Sequence, residues 1–274
     1  MNITEIVKNA FIFPTKNLET LSIYAILSIL SGAFAIEGIV TIIFGLVDIV
    51  NIAIGAIYLL IAFVLGLNTR RISIQCIKSG IDLEEKLPDF QWWGNLSIGF
   101  KKILLTIFYF IVPAIIIVII GLITNVPGNI INIFEIVATH IPSIITGQYA
   151  SFTDLIYQSS FPLYLSLAIT ITIALILFLI FAFFQAMAEA KLAHTSSLKQ
   201  AINIIGAIKD IKRIGLTKLV LLSILIFVIV VCIEFGLTII FDHFIVLSIL
   251  NIVITPYLAL FAQRCLGLLY SDIV

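Results

Sequence analysis

Residues 103–124 read ILLTIFYFIVPAIIIVIIGLIT, an apolar run with no charged residue, and the basic pair Lys101–Lys102 stands directly before it. A helix of about 20 apolar residues crosses the roughly 30 Å of hydrocarbon in a bilayer. A helix at the surface of a soluble protein needs a polar face, and this run offers none. The run therefore predicts a membrane-spanning helix that begins just after a basic pair.

The composition of the whole chain agrees with this prediction. Of its 274 residues, 62% are hydrophobic and 11% are charged, and the mean hydropathy is +1.25. Soluble domains contain about 25% charged residues, and so much exposed apolar surface would aggregate in water. The 15 basic and 15 acidic residues give no net charge, which argues against a nucleic-acid partner because such a partner needs a basic face. We expect the lipid bilayer as partner.

Five other stretches match this run in length and apolarity. We place the six spans near residues 20–43, 48–69, 103–124, 163–186, 217–240 and 244–268. The intervening cytoplasmic loops 70–102 and 187–216 are too short for a sizeable soluble domain. The sequence thus predicts a single membrane domain over residues 1–274, of the all-α class. This domain is a polytopic transmembrane helical bundle of about six spans, with amphipathic interfacial helices on the cytoplasmic side.

Lys and Arg residues fall on alternate connections between these spans. They precede the first span, fill both loops and end the sixth span, whereas the other connections carry acids: Glu37, Asp48, Glu135, Asp154 and Asp242. Because basic connections stay in the cytoplasm, we predict cytoplasmic N- and C-termini and a multi-pass protein of the cell (plasma) membrane. No cleavable signal peptide of the usual form precedes the first span. A wrong number of spans would mix the two sides.

An aromatic stripe in the first loop predicts an interfacial helix. Its members, at helical spacing, are Trp92, Trp93, Leu96, Phe100 and Ile103. Trp is enriched at the level of lipid headgroups, so this helix should begin near Pro88–Asp89, lie flat on the inner leaflet and turn into the membrane at Ile103.

The second loop predicts a similar helix. Ser197 and Gln200 fit a capping box, and the apolar face after them consists of Leu198, Ala201, Ile202, Ile205 and Ile208. The N-terminal residues 3–10 and the outer stretch 130–137 show the same pattern. A basic pair precedes a span in both loops, which suggests a weak internal repeat.

These loops define one candidate interfacial or partner surface. Its members are Trp92, Trp93, Phe100, Lys101, Lys102, Lys212 and Arg213. Two interpretations remain open. The basic helices serve only to anchor and orient the protein at an anionic leaflet, or they form a platform for lipid headgroups or for a membrane or cytoplasmic protein partner.

Few polar or helix-breaking residues lie inside the spans. Pro113 and Pro256 are candidate helix kinks, which mark either simple bends or the broken helices of a transporter. The candidate intramembrane polar residues are Glu234, Asn251 and Gln263. Glu234 either extends its carboxylate to the outer interface or marks a functional site. The amides can join neighbouring helices by hydrogen bonds.

No catalytic or metal-binding pattern is present in the sequence. The motifs HExxH and GxSxG, a phosphate-binding loop and Cys/His clusters with metal spacing are all missing. Cys76, Cys232 and Cys265 are far apart and read as small apolar residues. We therefore expect no enzymatic activity, no cofactor and no metal ion.

One motif resembles a known family. In chain order it contains Gly66, Arg70–Arg71, Gly80, the run LPDFQWWG at 87–94, and Gly99-Phe100-Lys101. It is similar to the archaeal multi-spanning proteins grouped as domain of unknown function 4013, although Gln91 stands where an acid is expected. Weaker similarities, which extend over nearly the whole chain, are Ala186, Ala188, Ala190, Ala193, Arg264, Gly267 and Tyr270. The resemblance implies an uncharacterised archaeal membrane protein without assigned functional residues.

Two functions fit these observations. The first is a non-enzymatic, lipid-interacting or partner-organising bundle that uses its cytoplasmic helices as the contact surface. The alternative is a transporter or permease for a small uncharged or lipid-like solute. A polar cavity between the spans would favour the alternative, and a tightly packed bundle would count against it.

Overall fold

A computed structural model describes residues 1–45, 48–92, 94–145, 149–241 and 245–274. Within these ranges every regular element is a helix. The ten α-helices are α1 (Ile3–Ile12), α2 (Leu18–Phe44), α3 (Ile49–Ile81), α4 (Leu96–Ile123), α5 (Val126–Ile145), α6 (Tyr149–Thr195), α7 (Leu198–Ala201), α8 (Ile204–Ile214), α9 (Leu216–Phe241) and α10 (Ile245–Tyr270). A short 3-10 turn, Phe13–Lys16, joins α1 to α2.

Six of the described helices are long and apolar enough to cross a membrane: α2, α3, α4, α6, α9 and α10. This confirms the all-α, multi-pass architecture. The most apolar window of each of the first five is between 6% and 17% buried, whereas that of α10 is 56% buried. The first five helices therefore present apolar side chains outwards, which hydrocarbon tolerates and water does not. The described window of α10 is the most buried of the six.

Several helices extend beyond the predicted spans. The helix α3 continues past Arg70 and Arg71 to Ile81, and α6 runs on to Thr195. Charged residues do not end a helix, since its backbone hydrogen bonds need no membrane. Pro113 lies inside α4 and Pro256 inside α10, and neither proline ends its helix.

The chain forms two compact units. Unit 1 contains residues 1–106 and 184–274, and unit 2 contains residues 107–183. In unit 2, Thr124 and Thr170 share a hydrogen bond of 3.1 Å, and Asn129 donates to Ser166 at 3.2 Å. Such bonds hold helices together where the surroundings are apolar. Unit 2 also contains α5, which confirms a helix over the outer stretch 130–137.

Close crossings at glycine hold the helices of unit 1 together. A Cβ atom on Gly38 in α2 would lie 2.9 Å from the carbonyl oxygen of Gly55 in α3. A Cβ atom on Gly80 in α3 would lie 2.8 Å from the Cα of Gly267 in α10. Small residues let membrane helices approach in this way, and α3 therefore packs against both α2 and α10.

The basic ends of the spans meet at one end of unit 1. The N-terminal ammonium contacts Asp272 at 2.7 Å, Lys102 at the start of α4 pairs with Glu189 of α6 at 3.1 Å, and Asn17 before α2 donates to the Leu87 carbonyl beyond α3 at 3.0 Å. The starts of α2 and α4 and the ends of α3, α6 and α10 therefore lie close together. This is the arrangement that alternating spans require.

The predicted interfacial helix in the first loop is wrong in its boundaries. No helix begins near Pro88–Asp89, since α4 starts at Leu96 and runs without interruption past Ile103. The described residues between Leu87 and Asn95 form an irregular segment, here called the strap. Trp93 lies outside the described residues.

The predicted helix of the second loop is in fact two helices. Ser197 caps α7 without a side-chain hydrogen bond, and α7 ends at Ala201. Asn203 then begins α8 by accepting a hydrogen bond from the Gly206 backbone at 3.1 Å. The predicted apolar face is also displaced, because Ile205 is 67% exposed while Ala207 and Ile211 are buried. In the N-terminal helix α1, by contrast, Ile6 and Ala10 are buried as predicted.

Candidate functional site

The strap lies over the end of α3 and is fixed at its first residues. Leu87 is fully buried, and its carbonyl accepts the hydrogen bond from Asn17. Thr20 donates to the Pro88 carbonyl at 3.1 Å. The outer part of the strap is exposed: Trp92 is 58% exposed, with its ring edge-to-face against Phe90 at 5.0 Å.

Beneath the strap lies a buried arginine without a hydrogen-bond acceptor. Arg71 is 1% exposed, and none of its three guanidinium nitrogens has a hydrogen-bond partner among the described residues. The Phe90 ring lies 5.3 Å from the guanidinium carbon. One turn earlier on α3, Asn68 donates to the Val64 carbonyl at 3.3 Å, and its Oδ1 atom is buried without a partner. An unsatisfied acceptor and unsatisfied donors thus lie three residues apart on α3, at positions that share one face of a helix.

Arg264, near the end of α10, is also a buried arginine, but unlike Arg71 it has hydrogen-bond acceptors. It is 2% exposed and lies over the Phe13 ring at 3.8 Å. Its guanidinium donates to the Glu84 carbonyl at 2.7 Å and to the side chains of Asn9 and Ser79 at 3.3 Å. Arg264 therefore ties α1, α3 and α10 together, and each of its three nitrogens donates at least one hydrogen bond.

A small pocket lies between the end of α3 and the segment that follows it. It has a volume of about 210 Å³ and is lined by Gln75, Lys78, Ser79, Glu84 and Pro88. Gln75 and Lys78 follow Arg71 at helical spacing on one face of α3, and Lys78 is exposed. Ser79 in turn receives a hydrogen bond from Arg264. The pocket thus shares Ser79 and Glu84 with the hydrogen bonds of Arg264, and Arg71 lies one turn before Gln75 on α3.

Asp210 is a further buried charged residue, and it holds α8 in place. The Asp210 carboxylate is 5% exposed and accepts from Lys191 of α6 at 3.0 Å and from the Tyr270 hydroxyl of α10 at 3.1 Å. Gly206 belongs to the same contact, because a Cβ atom there would lie 2.8 Å from the Lys191 amine. This ion pair explains why the face with Asp210, rather than the face with Ile205, is turned inwards.

The predicted basic surface residues have different surroundings. Lys102 and Glu189 form an ion pair in which each side chain is only 12% exposed, and Lys101 donates to the Ser196 carbonyl at 2.9 Å. Lys212 and Arg213, at the end of α8, are both exposed. Among the described residues of the predicted surface, the exposed members are therefore Trp92, Phe100, Lys212 and Arg213.

The ends of the chain form a polar cluster. Asp272 accepts from the N-terminal ammonium and from Lys218, which also donates to the Met1 carbonyl at 2.7 Å. Burial raises the pKa of the Asp272 carboxyl, but the hydrogen bonds from Lys218 and the ammonium outweigh burial and bring the pKa below its ordinary value. The carboxylate is therefore charged at neutral pH and joins α9 to both ends of the chain.

Of the three predicted intramembrane polar residues, the structure describes the side chains of Glu234 and Gln263. Glu234 is exposed on α9. Asn251 belongs to α10, but its side chain lies outside the described residues. Gln263 borders a cavity of about 210 Å³ between α6, α9 and α10, where its Oε1 atom is buried without a hydrogen-bond partner. Among the residues that the structure describes, no three His, Cys, Asp or Glu side chains are placed to hold a metal ion.

Comparison with known proteins gives a family but no activity. A family model described as "Protein of unknown function (DUF4013)" matches residues 72–241. The chain belongs to this family. The DUF4013 match contains the strap and Asp210, but it starts just after Arg71 and ends before Arg264. It thus covers less of the chain than the resemblance implied. No curated protein and no solved structure matches the chain.

The burial of Arg71, Arg264 and Asp210 was missed at the sequence level. The sequence predicts that Arg70 and Arg71 lie in the first cytoplasmic loop, but α3 continues through both residues. One signal was available: Arg71 and Arg264 each lie within a largely apolar helical stretch, and an ionisable residue in such a stretch is a candidate for function.

Proposed function

We propose that this multi-pass membrane protein is a non-enzymatic, lipid-interacting helical bundle that gathers anionic lipids around its basic end. One observation carries the proposal. All 15 Lys and Arg residues of the chain belong to unit 1, and none belongs to unit 2. Unit 1 also holds 13 of the 15 acidic residues, so its formal net charge is +2 and that of unit 2 is −2. Basic residues near the membrane surface attract anionic headgroups by about 1 kcal/mol each.

The exposed side chains of the basic end support this proposal. Lys212 and Arg213 are exposed at the end of α8, and Trp92 and Phe100 are 58% and 45% exposed. Indole and phenyl rings favour the headgroup region, where they meet both apolar chains and polar groups. Basic and aromatic side chains together are typical of segments that lie at a membrane surface.

The same distribution sets the orientation that we propose. Basic segments remain in the cytoplasm, so the basic end of unit 1, with the N- and C-termini, faces the cytoplasm of the cell, and the membrane is the plasma membrane. The archaeal source that the tryptophan motif implies is part of the same proposal. A membrane or cytoplasmic protein partner is the alternative occupant of the exposed surface.

Lipid retention tests the proposed function. We expect the wild-type protein, reconstituted in equal parts phosphatidylglycerol and phosphatidylcholine, to retain phosphatidylglycerol in excess when its bound lipids are analysed by mass spectrometry. Replacing Lys212 and Arg213 together by Gln should reduce that excess by about fivefold or more, since each charge contributes about 1 kcal/mol. The charge-preserving double variant Lys212→Arg/Arg213→Lys is the matched control. Retention of the two lipids in the ratio supplied would contradict the proposal.

The cavity beside Gln263 supports the second candidate, a transporter for a small uncharged or lipid-like solute. Its walls are apolar except for Gln263 and Ser223, which suits a lipid-like molecule better than a polar one. The cavity borders Ala186 and Leu219, which lie towards the basic ends of α6 and α9. We favour the first function because a transport path would have to continue to the opposite end of the spans.

A further inference from the structure

We infer that Arg71 and Asn68 form a binding site for one phosphate group that carries, or stands next to, a hydroxyl. The inference deepens the proposed function, on which it rests, because it names a ligand class at the basic end. Hydrogen phosphate and the headgroup of phosphatidylglycerol share this chemistry. Both present anionic oxygens together with an O–H donor.

Arg71 differs from Arg264 in its hydrogen bonds. Both arginines are almost fully buried over a phenylalanine ring, but Arg264 donates to three acceptors and Arg71 to none. A buried charge without an acceptor is strongly unfavourable, and an ionisable residue in a membrane-spanning helix is a candidate for function. The missing acceptor is therefore best supplied by an anionic ligand.

The neighbouring atoms specify the kind of anion. A guanidinium has five N–H donors in a planar fork that matches the oxygens of phosphate. The unpaired Oδ1 of Asn68 is an acceptor and needs a donor, which a phosphate hydroxyl or the glycerol hydroxyls of the lipid headgroup provide. A carboxylate without a hydroxyl would leave this atom unsatisfied.

The strap packs directly on the guanidinium at a glycine. A Cβ atom on Gly94 would lie against Nη1 of Arg71, closer than any non-bonded contact allows. The outer part of the strap is held by a local bond from the Gly94 amide to the Gln91 carbonyl at 3.3 Å, whereas its first residues are held by Asn17 and Thr20. A ligand can therefore reach the guanidinium when Trp92 and Gly94 are displaced and Leu87 stays in place.

The pocket at the end of α3 gives the approach to the site. Arg71, Gln75 and Lys78 follow one face of α3, and Lys78 lies about 10 Å along the helix axis from Arg71. The exposed amine of Lys78 draws an anion into the pocket, which the exposed carboxylate of Glu84 partly opposes. Pro88 borders this pocket and Phe90 of the same strap covers Arg71, so the strap separates the pocket from the guanidinium.

Ligand-induced thermal stabilisation of the purified, detergent-solubilised full chain tests the inference. The probes are inorganic phosphate, phosphatidylglycerol and, as the zwitterionic control without a headgroup hydroxyl, phosphatidylcholine. A ligand that binds the folded state raises Tm, and a tighter ligand raises it more at the same concentration. We expect phosphatidylglycerol, inorganic phosphate or both to raise Tm. Arg71→Gln should weaken this binding by about tenfold or more, as loss of a charge-assisted contact does. Gly94→Ala, which keeps the charge but places a Cβ atom where Nη1 of Arg71 lies and so displaces the guanidinium, should weaken binding as well.

Three comparisons decide the outcome. Arg70→Gln, the same charge change at the exposed neighbour, should leave the affinity unchanged. Arg264→Gln should lower Tm without probe but leave the probe-induced shift intact. Stabilisation by inorganic phosphate identifies a site for free phosphate, and stabilisation by phosphatidylglycerol alone identifies a lipid site. No shift with either probe, or an undiminished shift in both Arg71→Gln and Gly94→Ala, overturns the inference.

The test of the phosphate site can be distinguished from the lipid-retention test of the proposed function. The double variant Lys212→Gln/Arg213→Gln should lose bulk lipid preference but keep the probe-induced shift in Tm. If the shift is present and the wild type retains both lipids equally, the proposed function fails while the site stands. If the lipid preference is present and the shift is missing, the site fails while the proposed function stands.

Discussion

Replacing Gly80 by leucine should destabilise the protein by about 3 kcal/mol or more, the upper part of the range for forcing extra atoms into a packed contact. The backbone of α10 at Gly267 and Leu268 lies 2.8 to 3.0 Å from where the Cβ would be, before any further side-chain atom is added. Backbone atoms cannot turn aside as a flexible side chain can, so α3 and α10 must separate. Thermal unfolding in detergent, followed by circular dichroism, measures the loss.

Gly32→Leu is the matched control for this prediction. Gly32 also lies in a spanning helix, α2, but nothing lies within 4 Å of a Cβ built there. The change should therefore alter the free energy of unfolding by no more than about 0.5 kcal/mol, as an ordinary surface substitution does, and leave Tm nearly unchanged. Equal destabilisation by the two substitutions would show that the crossing of α3 and α10 is not as close as described.

Replacing Asp210 by alanine is the second change with a large expected effect. It leaves the Lys191 amine in a largely buried place without its counter-ion and removes the acceptor of the Tyr270 hydroxyl. Breaking a buried ion pair in this way costs about 3–5 kcal/mol. We expect a lower Tm and, because α8 loses its attachment to α6 and α10, rapid tryptic cleavage at Lys209, Lys212 and Arg213.

Two further variants sharpen this second prediction. Asp210→Asn keeps an acceptor for Lys191 and Tyr270, so its loss of stability should be smaller than that of alanine. Lys209→Ala alters the exposed neighbour on the same helix and should have little effect on Tm. If α8 were held only by its apolar residues, Asp210→Ala would resist trypsin as well as the wild type does.

The spans could be predicted because one physical requirement governs them. A helix that crosses hydrocarbon needs a continuous apolar stretch. Such a stretch, for example residues 103–124, can be identified in a single sequence. The even number of spans followed from the separation of Lys from acidic connections. The ends of the helices were less predictable, since α3 and α6 continue beyond the membrane for reasons of packing within unit 1.

The strap was mispredicted because its backbone acceptors have tertiary partners. A helix that began at Pro88 would use the Pro88 carbonyl as the acceptor for the amide four residues later. In the structure, Asn17 and Thr20 occupy the carbonyls of Leu87 and Pro88. These donors come from about 70 residues earlier in the chain, and nothing in the local aromatic spacing reveals them.

The candidate site was predictable only in its location. The sequence placed a basic, aromatic surface around Trp92 and Lys101, which is where the strap lies. It could not show that Arg71 is buried while Arg70 is exposed, because the choice between adjacent positions on α3 depends on which face packs against its neighbours. The partners of Asp210 likewise come from α6 and α10, so no spacing within the second loop indicates them.

Accessibility of single cysteines in intact cells tests the central claim most directly, namely that these helices span a membrane with the basic end of unit 1 inside the cell. Lys212→Cys and Glu135→Cys place exposed thiols on α8 and on α5, in a background in which Cys232, the exposed native cysteine, is replaced by Ser. With a membrane-impermeant maleimide, Glu135→Cys should react in intact cells, and Lys212→Cys only after permeabilisation. Reaction of Lys212→Cys in intact cells would contradict the account.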